Sequence, residues 1–456
     1  MAYINGKEIW FSPHINMTSG DTLKLEEQIA DLTAENVELK TQNSTLTAII
    51  KGTVIVENKD SFLNAINNDE VCSVILTNDI DLETESITIT KPIIISGYNH
   101  KITSTNNGVL FTVKEDANFK LTNTNFECEG MLVEVPASAS GNVTIENAAI
   151  ISNQLVCFGH DTKGSLSIKN VDATTAETAI AAYYDARVNM CVEDSTITTD
   201  TYHCILVDTI NESREIEIKN STLIARTEQA VVIQNVTAPV NLNIVNSTIS
   251  SHSSHALVAK SNTDTVINIE NSRISATLIG VYVTTGTLNI KESTINSTGN
   301  STGSYGITVG TVTMCVESSE IKSNTTYAVI STHASRITVY DTKLISDGGY
   351  ALHTSAKASI TLKGYTYLTG VESESRDILY SGSALEFAED YMGYGFLVKS
   401  NNGYSYDFCE TLDVAILESN EYGTPIYALT QSAKTTAQNA GYTVTLDSVT
   451  GYYVVT

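Results

Sequence analysis

Five charged residues are the best candidates for chemistry in this sequence. They are Asp161, Asp185, Arg187, Asp194 and Asp208. Carboxylates can hold Ca²⁺, and an arginine beside them can act as a base, which together would suit cleavage of an acidic polysaccharide. Charges that simply face solvent account for the same residues, and this second interpretation is favoured. We therefore assign no catalytic residue, and these five are the weak candidates if the protein is an enzyme.

Other catalytic and cofactor patterns are incomplete in the sequence. A hydrolase acting on acidic sugars needs clustered aspartates together with histidine and basic residues. Only two isolated segments, NTD at 262–264 and FGHD at 158–161, resemble parts of such a site. His252 and His255 lie three residues apart but lack a third ligand at metal spacing. We expect neither a metal nor a cofactor.

Tyrosine is concentrated near the C-terminus, where ten of the chain's 22 tyrosines follow residue 369. An exposed tyrosine gives flat, amphipathic contact area that suits recognition of a sugar or a protein. The binding candidates are Tyr391, Tyr394, Tyr404 and Tyr406. The same rings could instead cover the open end of a repeat structure. The sequence leaves both interpretations open.

Residues 22–50 carry a heptad pattern that is typical of helices supercoiled on one another. The predicted seam consists of Leu25, Ile29, Leu32, Asn36, Leu39, Asn43, Leu46 and Ile50. One amphipathic helix lying on its own domain is the alternative, but the seam is narrow. We therefore expect a coiled-coil stalk and a homotrimer, although the two seam asparagines are also compatible with a dimer.

From residue 52 onward the chain is dominated by internal repeats. Segments such as NVTIENAAI, EIEIKNSTL and NLNIVNSTI recur every 21 to 26 residues. Their apolar residues alternate with polar ones, as expected for a strand with one buried face. A second short strand, such as QAVVIQN or HALVAKS, precedes each of these segments. Two or three strands per repeat, with no helical pattern between them, predict a parallel β-solenoid.

Each repeat has an anchor residue, usually asparagine, directly after its alternating strand. Asn147, Asn170, Asn220 and Asn246 are examples, and the series extends upstream to Asn123 and Gly97. Asparagine tolerates the left-handed backbone conformation and can bond neighbouring backbone groups at a turn. Stacked repeats would align the amides into a hydrogen-bonded ladder. This structural role explains the recurrence without any catalysis.

Composition and charge exclude several classes of protein. The chain has 26 lysines and arginines against 52 aspartates and glutamates, a formal net charge of −26. That balance argues against binding to nucleic acid and against a polybasic membrane anchor. The sequence shows no secretion signal and no apolar segment long enough to span a bilayer. The seven cysteines are odd in number and form no CxxC pair, so we expect reduced thiols.

The segment VILTNDIDLETESITITKPIIISGYNHKIT and the NSTI repeats after it resemble the right-handed parallel β-helix of the pectate-lyase-like superfamily. The N-terminal AYINGKEIWFSPHIN, followed directly by heptads, is similar to the virion-attachment end of fibre proteins from phages of Gram-positive hosts. The first resemblance implies a fold that carries lyases, hydrolases, adhesins and viral fibres. The second implies a phage tail or head fibre or a tailspike, located in the virion.

These observations together predict an all-β chain in four parts. They are a virion-attachment segment over 1–20, a coiled-coil stalk over 21–51, a right-handed parallel β-helix of about 11–12 coils over 52–368, and a small capping or tip domain over 369–456. The expected function is a structural fibre that adheres to a host-surface glycan or protein. The alternative is a β-helical polysaccharide depolymerase, a glycoside hydrolase or a lyase.

Overall fold

The computed structural model describes residues 2–4, 7–9, 28–33, 36, 37, 40, 52–114, 116–370, 375–378, 383–400, 405–448 and 450–456. Strands make up 54% of the structure and helices 10%. The chain forms a parallel β-solenoid of about 13 turns, followed by a small domain with an antiparallel sheet. The predicted solenoid is therefore confirmed, and it has slightly more turns than the sequence repeats indicate.

The N-terminal part of the chain contains a short hairpin and a helix. Strands β1 (Ala2–Ile4) and β2 (Lys7–Ile9) pair in antiparallel fashion. Residues 28–33, 36, 37 and 40 are helical, and Asn36 is exposed. Two predicted seam residues, Ile29 and Leu32, are 58% and 63% exposed, so the chain itself does not cover them. Association of this helix with other copies stays a prediction, and Leu25, Leu39, Asn43, Leu46 and Ile50 lie outside the described residues.

Three faces build each turn of the solenoid, and the first holds the alternating strands that end at the anchors. Face 1 contains β3 (Thr53–Val56), β4 (Ser73–Leu76), β7 (Ile93–Ser96), β10 (Ala117–Thr122), β13 (Ser140–Ser152), β15 (Lys163–Thr175), β17 (Arg187–Glu193), β20 (Arg214–Lys219), β23 (Val240–Val245), β26 (Val266–Glu270), β28 (Ile279–Lys291), β30 (Tyr305–Glu317), β33 (Ser335–Tyr340), β36 (Ala358–Lys363) and β39 (Ala384–Phe387). Its strands pair in parallel, in one continuous register.

Face 2 follows the anchor, and face 3 completes the turn. Face 2 contains β5 (Ile80–Asp81), β8 (Lys101–Ser104), β11 (Asn125–Cys128), β18 (Thr196–Thr199), β21 (Thr222–Ala225), β24 (Thr248–Ser251), β27 (Arg273–Ala276), β29 (Thr294–Ser297), β31 (Glu320–Ser323), β34 (Lys343–Ser346) and β37 (Tyr367–Thr369). Face 3 contains β6 (Ile87–Ile89), β9 (Val109–Val113), β12 (Met131–Val135), β14 (Gln154–Phe158), β16 (Ile180–Ala182), β19 (Ile205–Ile210), β22 (Val231–Val236), β25 (Leu257–Ser261), β32 (Tyr327–Ser331), β35 (Leu352–Thr354) and β38 (Ser375–Ile378).

Four strands of 13 residues each cross from one face to the next. β13 and β15 bend at an anchor and continue from face 1 into face 2. β28 and β30 run from face 3 into face 1 without an intervening loop. The corner that a continuous strand crosses therefore differs from one part of the solenoid to another.

The interior is filled by the apolar residues that alternate along face 1. The side chains four and two residues before each anchor, such as Ile216 and Ile218, are all buried, which confirms the period-two prediction. Helix α1 (Lys59–Asn67) packs on β3 and β4 at the start of the solenoid and buries Phe62 and Ile66. Asn58 caps it by accepting a hydrogen bond from the Ser61 N–H, as in a capping box.

The anchors adopt the left-handed conformation that their sequence predicted. Their φ angles lie between 45° and 52° from Asn123 to Gly364. The amides form ladders, for example from Asn170 to Asn147 over 2.8 Å and from Asn246 to Asn220 over 3.1 Å. Gly97 differs from the expectation, because the positive φ of that turn falls at Tyr98 and Asn99 instead.

A second ladder, which the sequence interpretation missed, lies just inside the anchors. Buried hydroxyls at the next position accept a hydrogen bond from the backbone N–H of the corresponding residue one turn earlier. The residues are Ser195, Ser221, Ser247, Ser272, Ser293, Ser319 and Thr342. The NSTI motif therefore combines a left-handed turn, a buried hydroxyl and a core isoleucine.

The C-terminal domain contains β40 (Phe396–Lys399), β41 (Ser405–Cys409), α2 (Leu412–Tyr422), β42 (Ile426–Ala428), α3 (Gln431–Asn439), β43 (Val444–Leu446) and β44 (Tyr453–Val455). Helix α2 and strand β42 both lie within the segment 411–430. Parallel pairing of face 1 continues to β39, beyond the predicted boundary at residue 368. The domain has its own small core, which includes Phe396, Leu412 and Ala433.

Candidate functional site

The structure places four of the five charged candidates, all except Asp194, at one corner between faces 3 and 1. The Asp161 N–H donates to the Tyr184 carbonyl, and the Asp185 N–H donates to the carbonyl of Thr209, which follows Asp208. Asp161, Asp185 and Thr209 all have positive φ angles, so they occupy equivalent turn positions on neighbouring coils. Asp161, Asp185 and Asp208 therefore lie near one another on three successive coils.

Asp194 does not belong to that group. It is an anchor at the opposite end of β17, and it accepts a hydrogen bond from the Asn220 amide over 3.0 Å. Asp194 lies seven residue steps beyond Arg187, which at strand spacing is about 23 Å. The five candidates therefore cannot converge on one substrate bond.

Arg187 and Asp161 at this corner are each paired with a neighbouring side chain. Arg187 Nη1 lies 2.8 Å from Glu212 Oε1, and both side chains are partly exposed. His160 Nδ1 lies 2.7 Å from Asp161 Oδ2. The guanidinium of Arg187 is therefore held by a carboxylate of its own chain. These contacts describe a solvated charged surface, as the favoured interpretation of the sequence expected.

Asp208 is also held by a local contact. Its Oδ1 accepts a hydrogen bond of 2.6 Å from the Asn235 amide on the next coil. The Asp208 carboxylate is therefore bonded to the neighbouring coil at this corner.

Arg214 is a buried residue that the sequence interpretation did not single out. It is 6% exposed and occupies a position in face 1 where Val240 stands on the next coil. Its Nε donates to the Ala186 carbonyl over 3.2 Å and its Nη1 to the Ser213 carbonyl over 2.7 Å. Burial lowers the pKa of Arg214, and Glu212 opposes this effect. The sequence signal that could have identified Arg214 is a charged residue at a repeat position that points inward.

The tyrosines of the C-terminal region mostly pack against the end of the solenoid. Tyr391 is 4% exposed, and its ring meets that of Phe387 edge-on at 4.8 Å. Its hydroxyl accepts a hydrogen bond from the Tyr394 N–H over 2.9 Å. Tyr391 is therefore enclosed and covers the end of the solenoid, which is the second of the two interpretations that the sequence left open.

Tyr394 and Tyr406 remain partly accessible. The Tyr394 hydroxyl lies 3.2 Å from Thr369 Oγ1. Lys399 Nζ lies 5.6 Å from the centre of the Tyr406 ring, and burial raises the pKa of Tyr406. A binding role for these two residues stays a prediction, and Tyr404 lies outside the described residues.

Within the described part of the chain, no group of three or more histidine, cysteine, aspartate or glutamate side chains is arranged to hold a metal ion. None of the helices described is both long and apolar enough to cross a bilayer. All seven cysteines are free thiols.

Comparison with known proteins adds little beyond the architecture. No protein-family model and no curated protein matches the sequence. Among solved structures, the catalytic domain of a GH87 alpha-1,3-glucanase in complex with nigerose is similar, with a TM-score of 0.35 and 10% identity over 66% of this chain and 65% of that one. A variant of that domain, also with nigerose, gives a TM-score of 0.33 and 10% identity over 65% of each chain. The chain thus spans about two thirds of these proteins, and likenesses this distant carry no conclusion about activity.

Proposed function

We propose that this protein is a non-enzymatic fibre or spike of a bacteriophage that adheres to a glycan or protein on the host surface. Residues 1–20 attach it to a virion protein, and the heptads of 21–51 join three copies, or two, into a stalk. The solenoid and the C-terminal domain project toward the host. The protein is then located in the virion after synthesis in the host cytoplasm, and it neither binds nucleic acid nor inserts into membranes.

The pairing of the candidate catalytic charges carries this proposal. Arg187 is engaged by Glu212, Asp208 by Asn235, and Asp194 lies at another corner within an anchor ladder. A lyase or hydrolase needs an acid and a base directed at one bond, and these contacts direct the charges at one another. The repeated hydroxyl and amide ladders connect successive turns by hydrogen bonds, which favours a rigid, extended structural protein.

The stalk supports the proposal through its uncovered seam. Ile29 and Leu32 expose most of their side chains in the single chain. Two apolar residues of one heptad seam are normally covered by equivalent residues of a second helix. In an oligomeric stalk, the helices of the other copies cover these two side chains.

The alternative is a virion depolymerase, which the closeness of Asp161 and Asp185 on neighbouring coils keeps open. Incubating the purified chain with host capsule or wall polysaccharide separates the two functions. The fibre proposal expects binding without new reducing ends or unsaturated sugars. Cleavage that disappears in Asp185→Asn but persists in Asp172→Asn, a carboxylate on another face, would establish the depolymerase instead.

The virion location and the oligomeric state are tested separately. Electron microscopy of phage particles with and without the gene should show fibres that disappear in the deletion. Sedimentation equilibrium of the full chain should give three times the chain mass, or twice for a dimer. Leu32→Asp should reduce this to one chain, whereas Val37→Asp, an exposed helical residue outside the predicted seam, should leave it unchanged. A monomeric wild-type chain would contradict the stalk.

A further inference from the structure

A groove runs along the corner between faces 3 and 1 because two successive turns lack a loop there. Loops connect the two faces at 237–239, 262–265 and 332–334. β28 and β30 instead pass straight from face 3 to face 1. One of the two missing loops is visible in the sequence, since the anchors Asn271 and Glu292 are separated by only 21 residues.

Two glycines allow neighbouring strands to pass closely at this corner. A Cβ at Gly310 would lie 2.2 Å from the Thr284 carbonyl oxygen, and one at Gly286 would lie 2.1 Å from the Thr265 carbonyl oxygen. Gly286 also has a φ of +118°, which side-chain-bearing residues rarely adopt. Both positions therefore require glycine, and the strands pass closely without side chains to fill the space.

We call this feature the lateral groove, and its volume is about 320 Å³. It is lined by Asn235, Lys260, Ser261, Asn262, Tyr282, Thr284, Thr285, Gly310, Thr311, Thr332 and His333. These residues belong to five consecutive turns, so the groove is about 19 Å long at a spacing of about 4.8 Å per turn. A site of this shape suits a linear polymer lying parallel to the solenoid axis.

The charge of the groove differs from that of the whole chain. The net charge of the protein is −26, yet the lining contains no carboxylate and includes Lys260 and His333. Within the described residues, Lys260 has no ion-pair partner, whereas Arg187 and Arg226 each pair with an acidic side chain. The groove is therefore a place where an anionic ligand meets a free cation without facing a carboxylate in the lining.

Most of the other lining groups can hydrogen-bond a sugar. Thr284 Oγ1 donates to the Ser261 carbonyl and accepts from the Ser261 N–H, both over 2.8 Å, which fixes this part of the wall. Asn262, Thr285 and Thr311 add an amide and two hydroxyls. The half-buried ring of Tyr282 supplies a flat, amphipathic surface of the kind on which a sugar ring can stack. An aromatic ring, fixed hydroxyls and one cation together match a charged glycan better than an apolar peptide.

We propose that the lateral groove binds a linear anionic glycan along the solenoid axis. The proposal rests on the adhesive function above, for which it names the class of host-surface ligand. Lys260 pairs with the carboxylate or phosphate of the polymer, Tyr282 stacks on a sugar ring, and the hydroxyls of the wall bond the sugar hydroxyls.

Binding of the full chain to three soluble polymers tests the groove. The probes are polygalacturonate, which carries carboxylates, purified wall teichoic acid, which carries phosphodiesters, and neutral dextran. Calorimetry at low salt should show binding of at least one of the two polyanions and none of dextran. Binding of only one polyanion identifies the charged group. Equal binding of dextran, or binding of neither polyanion, would overturn the proposal.

Matched variants assign the binding to the groove. Tyr282→Ala should weaken polyanion binding about fivefold to tenfold, whereas Tyr202→Ala, an exposed tyrosine elsewhere, should leave it unchanged. Lys260→Gln should weaken binding at low salt, with a smaller effect at high salt because screening weakens the ion pair. Lys343→Gln on face 2 is its control. Thermal unfolding checks that all four variants are folded, and groove variants that bind normally while folded would contradict the assignment.

The outcomes distinguish the groove from the fibre function. If groove variants lose polyanion binding but the protein is absent from phage particles, the groove is supported and the fibre proposal fails. If the protein is present on particles and the groove variants bind and adsorb normally, the fibre stands and the groove is overturned.

Discussion

The side-chain amide of Asn271 donates a hydrogen bond to Oδ1 of Asn246, 2.8 Å away on the preceding turn. Asn246 in turn donates to Asn220, and all three residues have φ angles between 45° and 51°. One residue type therefore satisfies two requirements of this corner, a left-handed backbone and a bond to the next turn. The recurring asparagines of the sequence are explained by this geometry alone.

Replacing an anchor should separate the two requirements. Asn246→Ala should lower the free energy of unfolding by about 2 kcal/mol, about half from the left-handed backbone and half from lost hydrogen bonds. Asn246→Gly should cost less, because glycine adopts this conformation without penalty. Denaturant midpoints followed by circular dichroism measure both. A glycine variant less stable than the alanine variant would contradict the role of the backbone.

The buried hydroxyl ladder makes a second prediction. Ser221 Oγ accepts the Ser195 N–H over 3.1 Å and donates to the Lys219 carbonyl over 2.6 Å. Ser221→Ala leaves the buried N–H without its acceptor, which should cost about 2 kcal/mol. Ser253→Ala, at an exposed turn, should change the stability by less than about 0.5 kcal/mol. Equal effects in the two variants would show that the ladder does not stabilise the fold.

Thiol reactivity should distinguish the cysteines of the folded protein. Burial raises the pKa of Cys128, Cys157 and Cys204 to about 12 in each case. Their reactive thiolate is therefore scarce at pH 8, whereas Cys72 is exposed. Brief alkylation followed by peptide mass spectrometry should modify Cys72 first, and urea should expose the other three. Rapid native modification of Cys204 would contradict the packing of the core.

Tyr452 should make the contact between the C-terminal domain and the solenoid sensitive to alkali. Its hydroxyl donates to the Leu385 carbonyl over 2.5 Å, and burial raises its pKa to about 12. A raised pKa means that the neutral phenol stabilises the fold below pH 10, and that this contribution is lost as the pH rises through about 12. Absorbance at 295 nm should show late ionisation of this residue. Tyr452→Phe should remove that late step, and an unchanged titration would assign it to another tyrosine.

The repeat and its core could be predicted from the sequence because face 1 buries alternate residues. Val143, Ile218 and Leu362 are apolar for the same reason, and one register aligns them all. Helix α3 was not expected, since its buried face consists of Ala433 and Ala437 and carries no strong apolar period. Parallel pairing of β36 with β39 continues face 1 past residue 368, where the recognised sequence repeats end.

Features that depend on contacts between distant turns were harder to predict. The pairing of Arg187 with Glu212 and the hydrogen bond from Arg214 to the Ala186 carbonyl depend on the path of the corner, which no local pattern specifies. The 21-residue interval after Asn271 was visible, but the lateral groove also requires the straight path of β30 past Gly310. Tyr391 is one of the candidate binding tyrosines. Its enclosure depends on its contact with Phe387 at the end of β39, the last parallel strand of face 1.

The most direct test of the account measures binding and cleavage on one sample. Purified full-length protein is incubated with surface polysaccharide of the host bacterium, and bound polymer, reducing ends and unsaturated sugars are quantified together. The account predicts polymer binding that Tyr282→Ala weakens, with no product above that of a boiled control. Release of reducing ends or unsaturated sugars in proportion to the protein concentration would contradict it.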